Sequence, residues 1–372
     1  MKRIGITGDG GFVGRHLFNT LALHPEKFML ISFQRNYFNS REKLDAFVAS
    51  CDVIVHLAGL NRHPDLGMIY ETNINLAKML VASLERVGST AHVIFSSSSQ
   101  EGKDNEYGRS KKEARLLLKD WADRNGGCFT GMVVPNVFGP FGKPFYNSVV
   151  ATFCYQLANG ETPSIQTDAE LKLIYVGELV ATILAIVEEG ISDPEKYIPY
   201  TAIAKVSEVL ALLKMYKSRY SEQHIFPRIK NSFELNLFNT YRSYENIAVK
   251  FPVRFIQHQD ERGVFSELVK LEQCGQVSFS TTHPGITRGN HFHTRKIERF
   301  AVIAGEARIQ LRKFGTEEVL NFYLTGKEPS FVDMPIWYTH NITNVGEEEL
   351  ITIFWINEFY DPNDPDTYFE QI

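Results

Sequence analysis

The sequence predicts a doubly wound α/β domain followed by an all-β jelly roll, with the boundary near residue 246. Three observations carry this expectation. Short apolar strands alternate with helical patterns through the first half, and a glycine-rich turn follows the first strand. From Phe251 onward, short alternating or wholly apolar strands succeed one another without helices between them. A chain of 372 residues also exceeds one ordinary core, so two domains are expected, 1–245 and 246–372.

At 44% hydrophobic and 22% charged, the composition is that of a soluble globular protein. A net charge of -5 without any Lys/Arg block excludes nucleic acid and anionic membrane as partners. The opening MKRIGITG runs directly into a strand, and no apolar run reaches the ~20 residues of a membrane span, so a cytoplasmic location is expected. Cys51, Cys128, Cys154 and Cys274 are far apart and form no C-x-x-C, which fits free thiols in a reducing compartment.

In chain order, the apolar strand Arg3–Thr7 runs into Gly8-x-x-Gly11-Phe12-x-Gly14, and a helical stripe of Val13, Leu17 and Leu21 follows. Glycines at a strand-to-helix turn let backbone N–H groups approach a pyrophosphate. The second strand, Met29–Phe33, is followed by Gln34-Arg35-Asn36. No acid is offered there to ribose hydroxyls, whereas Arg35 suits a 2′-phosphate, so NADPH is preferred over NADH. Asp52–Gly59 is a buried-strand run ending in Leu57, Ala58 and Gly59, small enough at its end for backbone to pass a cofactor. A helix near Asn73–Val87 and the strand His92–Phe95 then deliver the run Ser96–Ser99. Tyr107 and Lys111 are four apart, one turn on a helix face, and the ammonium is expected to lower the phenol pKa for proton transfer at a carbonyl oxygen. The stripe Val206, Val209, Leu210 and Leu213 predicts a core helix, while 231–250 shows no clean periodicity.

TGxxGxxG at Thr7–Gly14, HLAG at His56–Gly59, FSSSS at Phe95–Ser99, YGxSK at Tyr107–Lys111 and PNVFGP at Pro135–Pro140 resemble the extended short-chain dehydrogenase/reductases that act on nucleotide sugars. That resemblance implies a Rossmann-type domain in which Ser98 bonds the substrate oxygen, Tyr107 donates the proton, and Lys111 holds the nicotinamide ribose. It also implies cofactor contacts at Gly8, Gly11, Phe12, Gly14, Arg35, Leu57, Ala58, Gly59, Tyr107 and Lys111. Two departures stand out. Only eight residues separate Ser98 from Tyr107, leaving Ser97 and Ser99 as alternatives, and Glu106 stands where proline is usual.

In the second half, His291-x-His293-x4-Glu298 and His340 can close a three-His, one-Glu metal site, since alternate residues of a strand point to one side. The spacing Gly285-x5-His291-x-His293-x4-Glu298-x6-Gly305, with Pro335 and His340-x3-Asn344, resembles the two motifs of the cupins, with Trp337 where glycine is usual. Asp260–Glu267, Gln276–Ser280 and Arg288–His291 are similar to the dTDP-4-dehydrorhamnose 3,5-epimerase branch of that family. There the histidine after Arg-Gly-x is the base. Here that is His291, also the first metal ligand. We favour ligand, because a coordinated nitrogen has no lone pair for a proton, and His283, Lys296 and Tyr338 are then candidate bases.

The whole architecture, including Asn147–Glu161, Gly285–His293 and Asp361–Phe369, resembles the bifunctional capsular-polysaccharide enzymes of the UDP-N-acetyl-L-fucosamine pathway. The resemblance implies a homodimer with zinc (or another divalent metal) in the cupin, acting on a UDP-linked 4-keto-6-deoxy-N-acetylhexosamine. The cupin would epimerise C3 and the reductase would reduce C4 with NADPH, giving UDP-N-acetyl-6-deoxy-talosamine. The chemistry is coherent, since a carbon acid is acidic beside a ketone and reduction traps the inverted centre. The competing expectations are a reductase with a structural or dimerising cupin, and an NADP-sensing regulatory protein.

Overall fold

A computed structural model describes residues 1–260, 263–266, 268–271, 275–358 and 360–372. Glu261, Arg262 and Glu267 of the epimerase-like stretch, and Cys274, lie outside the described residues. The chain forms two compact units, Met1–Thr152 with Ile165–Glu208, and Phe153–Ser164 with Val209–Ile372.

The first unit is built on β1 (Lys2–Thr7), β2 (Phe28–Ile31), β3 (Val53–His56), β4 (His92–Ser98), β5 (Phe129–Val134), β6 (Asn136–Phe138), β7 (Glu170–Tyr175), β8 (Asp193–Tyr197) and β9 (Ala202–Lys205). Six strands form a parallel sheet in the order β2-β1-β3-β4-β5-β8, and β6-β7-β9 form a small second sheet. The strand order reverses direction between β1 and β3, the point at which open parallel sheets bind ligands at their carboxyl ends. Adjacent strand residues face opposite layers. Ile54, Val93 and Phe95 meet α2 (Arg41–Ala49), α3 (Leu66–Arg86) and α4 (Glu106–Asn125) on one face. Val53, Val55 and Ile94 meet α1 (Phe12–Ala22) and, further along, α6 (Val176–Glu189) on the other. The helix expected near Asn73 begins seven residues earlier, because Asp65 caps it by accepting from the Gly67 N–H at 2.9 Å. The division between units falls within α5 (Val149–Ala158) and α7 (Val206–Tyr216).

The second unit carries β10 (Ile225–Phe226), β11 (Val253–Arg254), β12 (Gln257–Asp260), β13 (Gly263–Ser266), β14 (Lys270–Leu271), β15 (Gln276–Thr282), β16 (Thr287–Phe292), β17 (Glu298–Ala304) and β18 (Glu306–Lys313). It continues with β19 (Val319–Thr325), β20 (Ser330–Met334), β21 (Tyr338–Asn344), β22 (Leu350–Ile356) and β23 (Tyr368–Phe369). Two five-stranded antiparallel sheets, β11-β20-β17-β22-β15 and β19-β18-β21-β16-β23, enclose a core of Val302, Ile309, Leu311, Val332, Met334, Ile342 and Leu350. Phe255-Ile256, expected in a strand, lies just past β11.

Sequence periodicity misses α8 (Ser232–Arg242), and the reason is its environment. Six consecutive residues, Leu237 to Arg242, are buried, among them the polar Asn239, Thr240 and Arg242, which a polarity pattern reads as facing solvent. The helix is packed within the second unit although it precedes residue 246. Tyr220 donates to Asp333 at 2.6 Å, Arg242 donates to Tyr220 Oη at 3.2 Å, and Arg299 grips Asp333 through Nε at 2.7 Å and Nη2 at 3.1 Å. The Arg299 and Asp333 side chains are 2% and 0% exposed. Burial pushes the Asp333 carboxyl up, but Arg299 and Arg242 hold it below its ordinary value.

An ion pair this buried loses far more when one partner is removed than when both are replaced. Asp333→Ala is expected to lower unfolding stability by about 3–5 kcal/mol, with Asp333→Asn less affected, in urea titrations followed by tryptophan fluorescence.

Candidate functional site

The first candidate site lies at the carboxyl ends of β1, β3 and β4. Gly8 has φ +83°, and a Cβ on it would meet the Ala58 nitrogen at 2.8 Å. A Cβ on Gly14 would sit 2.1 Å from the Gly8 carbonyl oxygen, so only glycine lets α1 start this close to β1. The first turn of α1 carries no acidic side chain and Gly11 caps it without one, leaving an N-terminus suited to an anion. Arg35 is exposed and opens a short 3₁₀ helix just after β2. Thr7 and His56 join the ends of β1 and β3 through Oγ1···Nδ1 at 2.6 Å. Burial, aided by the Lys111 charge, lowers the His56 pKa to about 3, so this imidazole is neutral.

The HLAG segment is held by Asn73, which the sequence reading passed over. Its Nδ2 donates to Leu60 O and Ser110 Oγ, both at 2.9 Å, while its Oδ1 accepts from the Leu60 N–H at 2.7 Å. One buried amide therefore ties the loop after β3 to α4, one residue from Lys111. The Lys111 ammonium donates to Ser96 O at 2.8 Å and lies 4.9 Å from the centre of the Phe95 ring. A Cβ on Gly59 would come within 3.4 Å of that nitrogen.

Of the serine run, Ser98 is the one whose hydroxyl acts on the Tyr107 phenol, pulling its pKa downward. Ser97 donates instead to Glu101, and Ser99 is exposed. Tyr107 differs from expectation in one respect. Burial pushes its phenol up to about 12, outweighing the bond from Ser98, so Lys111 does not lower it. The cause is geometric: the ammonium is committed to Ser96 O and stands 5.9 Å from the Tyr107 ring centre. Burial also lowers Lys111 to about 8, against a pull upward from Glu101.

The second candidate site lies inside the β unit. His291 on β16, His293 just beyond it, Glu298 at the start of β17 and His340 on β21 bring their ligand atoms within 4.8 Å of one another. Pairing of His291 opposite His340 across β16 and β21 sets two of them face to face. His293 Nε2 and His340 Nε2 approach Glu298 Oε2 to 3.2 and 3.1 Å. These are ion-pair distances, yet none of the three atoms has an aligned hydrogen bond. Three converging donor atoms that no aligned hydrogen bond satisfies fit a cation; the edge of a tetrahedron with zinc–nitrogen bonds is ~3.3 Å. The other ring nitrogens are occupied as metal ligands require: His293 Nδ1 bonds Asp366 O at 2.5 Å, and His340 Nδ1 lies 3.3 Å from Tyr338 O. Burial alone would raise Glu298, but His293 and His340 hold it well below the carboxylate range. Burial, reinforced by the neighbouring imidazoles, lowers His291 to about 4.

Asp366 carries more than one of these contacts. Its carboxylate accepts from Thr294 Oγ1 and from the N–H groups of Thr294, Arg295 and Lys296, which fixes the bend after His293. Its only signal in the sequence is its place in DPNDPDTYF. Trp337 takes φ +61°, a region that favours glycine, and its N–H donates to His293 O at 2.8 Å. Its ring stacks on Phe292 at 5.5 Å. Among the proposed bases, His283 is exposed near Glu349, and the Lys296 ammonium donates to Pro365 O at 2.7 Å. Burial raises the Tyr338 phenol.

Among the described residues no helix is long and apolar enough to cross a membrane. Cys51, Cys128 and Cys154 are free thiols. Comparison with known proteins matches residues 4–198 to the NAD dependent epimerase/dehydratase family and residues 258–368 to the polysaccharide biosynthesis C-terminal domain. The chain is 32% identical over 378 residues to a UDP-2-acetamido-2,6-beta-L-arabino-hexul-4-ose reductase from Pseudomonas aeruginosa, covering 98% of each. It is 35% identical to the solved structure of the capsular polysaccharide assembling protein CapF from Staphylococcus aureus, with TM-score 0.65 and all of both chains covered. The structure of RMD from Pseudomonas aeruginosa complexed with NADPH shares the fold of the first unit's class, at 21% identity, TM-score 0.53, and 59% of this chain against 83% of that one. With the glycine turn, the strand order and the Ser–Tyr–Lys geometry already in place, these matches establish that the chain belongs to the NAD dependent epimerase/dehydratase family.

Proposed function

We propose that the protein is a homodimeric, bifunctional nucleotide-sugar enzyme. Its metal-holding cupin domain, residues 246–372, epimerises C3 of UDP-2-acetamido-2,6-dideoxy-hexos-4-ulose, and its reductase domain, residues 1–245, reduces C4 to give UDP-N-acetyl-6-deoxy-talosamine. The observation that carries the reading is the Ser98–Tyr107–Lys111 set beside the glycine turn at the carboxyl ends of the parallel strands. The 32% identity, over 98% of each chain, to a reductase of a UDP-linked hexul-4-ose supports the substrate class.

NADPH, when bound, supplies the hydride. Tyr107 gives its proton to the C4 oxygen, since a phenol is protonated at neutral pH. Ser98 bonds the same oxygen. Lys111, whose ammonium is held by Ser96 O, would hold the nicotinamide ribose. Arg35, exposed where an acid would otherwise meet a 2′-hydroxyl, favours NADPH. In the β unit, His291, His293, Glu298 and His340 would hold a divalent ion, whose charge favours an enolate oxygen beside C3.

One observation favours a second reading, in which the cupin is structural: protein atoms supply all four positions of a tetrahedral ion, the pattern of closed sites. Proton NMR of the 4-keto substrate with enzyme in D2O, without NADPH, separates the two. Deuterium entering at C3, and lost in His291→Ala, is expected. Absence of exchange, with turnover once NADPH is added, leaves a plain reductase, and an unaltered biological output from Tyr107→Phe would favour a sensor.

Two further outcomes are expected. The wild-type chain binds one zinc per chain in equilibrium dialysis, and Glu298→Gln or His340→Ala abolishes it. The value of kcat/KM for reduction falls as pH rises through about 8, because burial lowers Lys111 to that value and it is neutral above it. Lys111→Arg, which stays charged, moves that limb upward.

A further inference from the structure

The short link between Ser98 and Tyr107, eight residues, calls for a physical account. Residues Ser99–Gly102 form a single 3₁₀ turn, which Ser98 caps by accepting from the Gln100 N–H at 3.2 Å. The turn lies flat on the start of α4. A Cβ on Gly108 would be 2.1 Å from Gln100 O, and Asn105 caps the helix by accepting from the Gly108 N–H at 2.7 Å. Glu101 on this turn meets Arg115, one helical turn beyond Lys111, in a two-pronged ion pair. Both Nε–Oε1 and Nη2–Oε2 are 2.8 Å, and the side chains are 4% and 10% exposed for Arg115 and Glu101. Ser97, next to Ser98, also donates to Glu101. Arg115 is anchored from behind by Pro194 O at 2.9 Å, and its stem crosses β5 at Gly131, where a Cβ would come within 2.7 Å of it.

We propose that Glu101 and Arg115 are positioning residues, whose buried pair clamps the turn after β4 onto α4 and so holds the Ser98 hydroxyl at Tyr107. Neither touches the reacting atoms. They act through Ser98, and the clamp is what allows so short a link to present it. A paired planar guanidinium fixes direction as well as distance, which a single surface contact would not.

The inference rests on the reductase reading, so the experiment begins by establishing it. Wild-type protein must oxidise NADPH with the UDP-4-keto sugar, and Tyr107→Phe must not; failure here defeats the reductase reading and not the clamp. Glu101→Gln is then expected to lower kcat about ten- to a hundredfold, the cost of misplacing a catalytic group by about 1 Å, with the Kd for NADPH unchanged. The decisive readout is the double variant. In a Ser98→Ala background, Glu101→Gln is expected to cause no further loss, because the group it positions is gone. Wild-type kcat in Glu101→Gln, or an equal fold-loss in both backgrounds, overturns the proposal. Arg115 retains Pro194 O, and Glu195 lies 3.4 Å away, so the fold keeps a partner for the freed guanidinium. Should Glu101→Gln still unfold, Arg115→Lys and Ser97→Ala put the same two questions to the clamp from its other members, with the same outcomes deciding.

Discussion

Burying an ammonium beside the end of a parallel sheet is costly, and much of the first unit answers that cost. Lys111 is 5% exposed. It therefore needs an acceptor, which Ser96 O provides, and a π-face, which Phe95 provides. It needs space, which the missing side chain of Gly59 leaves. It also needs its near neighbour on β3 to be uncharged, and burial keeps His56 so. Removing any of these would raise the cost of burying that charge. The geometry is thus a set of mutual conditions rather than a collection of reactive groups.

The same logic with opposite sign runs through the β unit. There a carboxylate, Glu298, is buried and two imidazoles converge on it without hydrogen-bond alignment. Three buried polar atoms brought together without an aligned hydrogen bond are electrostatically incomplete.

Legibility in the sequence followed the range of the physics. The glycine turn, the strand alternation and the parallel order were readable because they depend on residues near one another in the chain. His291, His293, Glu298 and His340 could be read as a group because strand periodicity and short spacing carry most of their placement, and the structure brings them together. α8 escaped because Asn239, Thr240 and Arg242 are buried, so polarity does not mark its outer face. Asn73, Glu101, Arg115 and Asp366 escaped because each works through a tertiary contact 13 to 73 residues away. The direction of the Tyr107 shift was misread for a related reason: i, i+4 spacing places Lys111 nearby, but only the fold shows its nitrogen turned to Ser96 O.

The part played by Asp366 bears on how the β unit is made. A chain emerges from synthesis in order, so all four residues of the His/Glu cluster are present before residue 366 is. The aspartate whose carbonyl orients the His293 ring, and the strand β23 that pairs with His291 and Phe292, arrive afterward. Until then His293 has no fixed tautomer and its bend no acceptor for three consecutive N–H groups. The cluster is accordingly finished late, by a segment that contributes none of its four side chains.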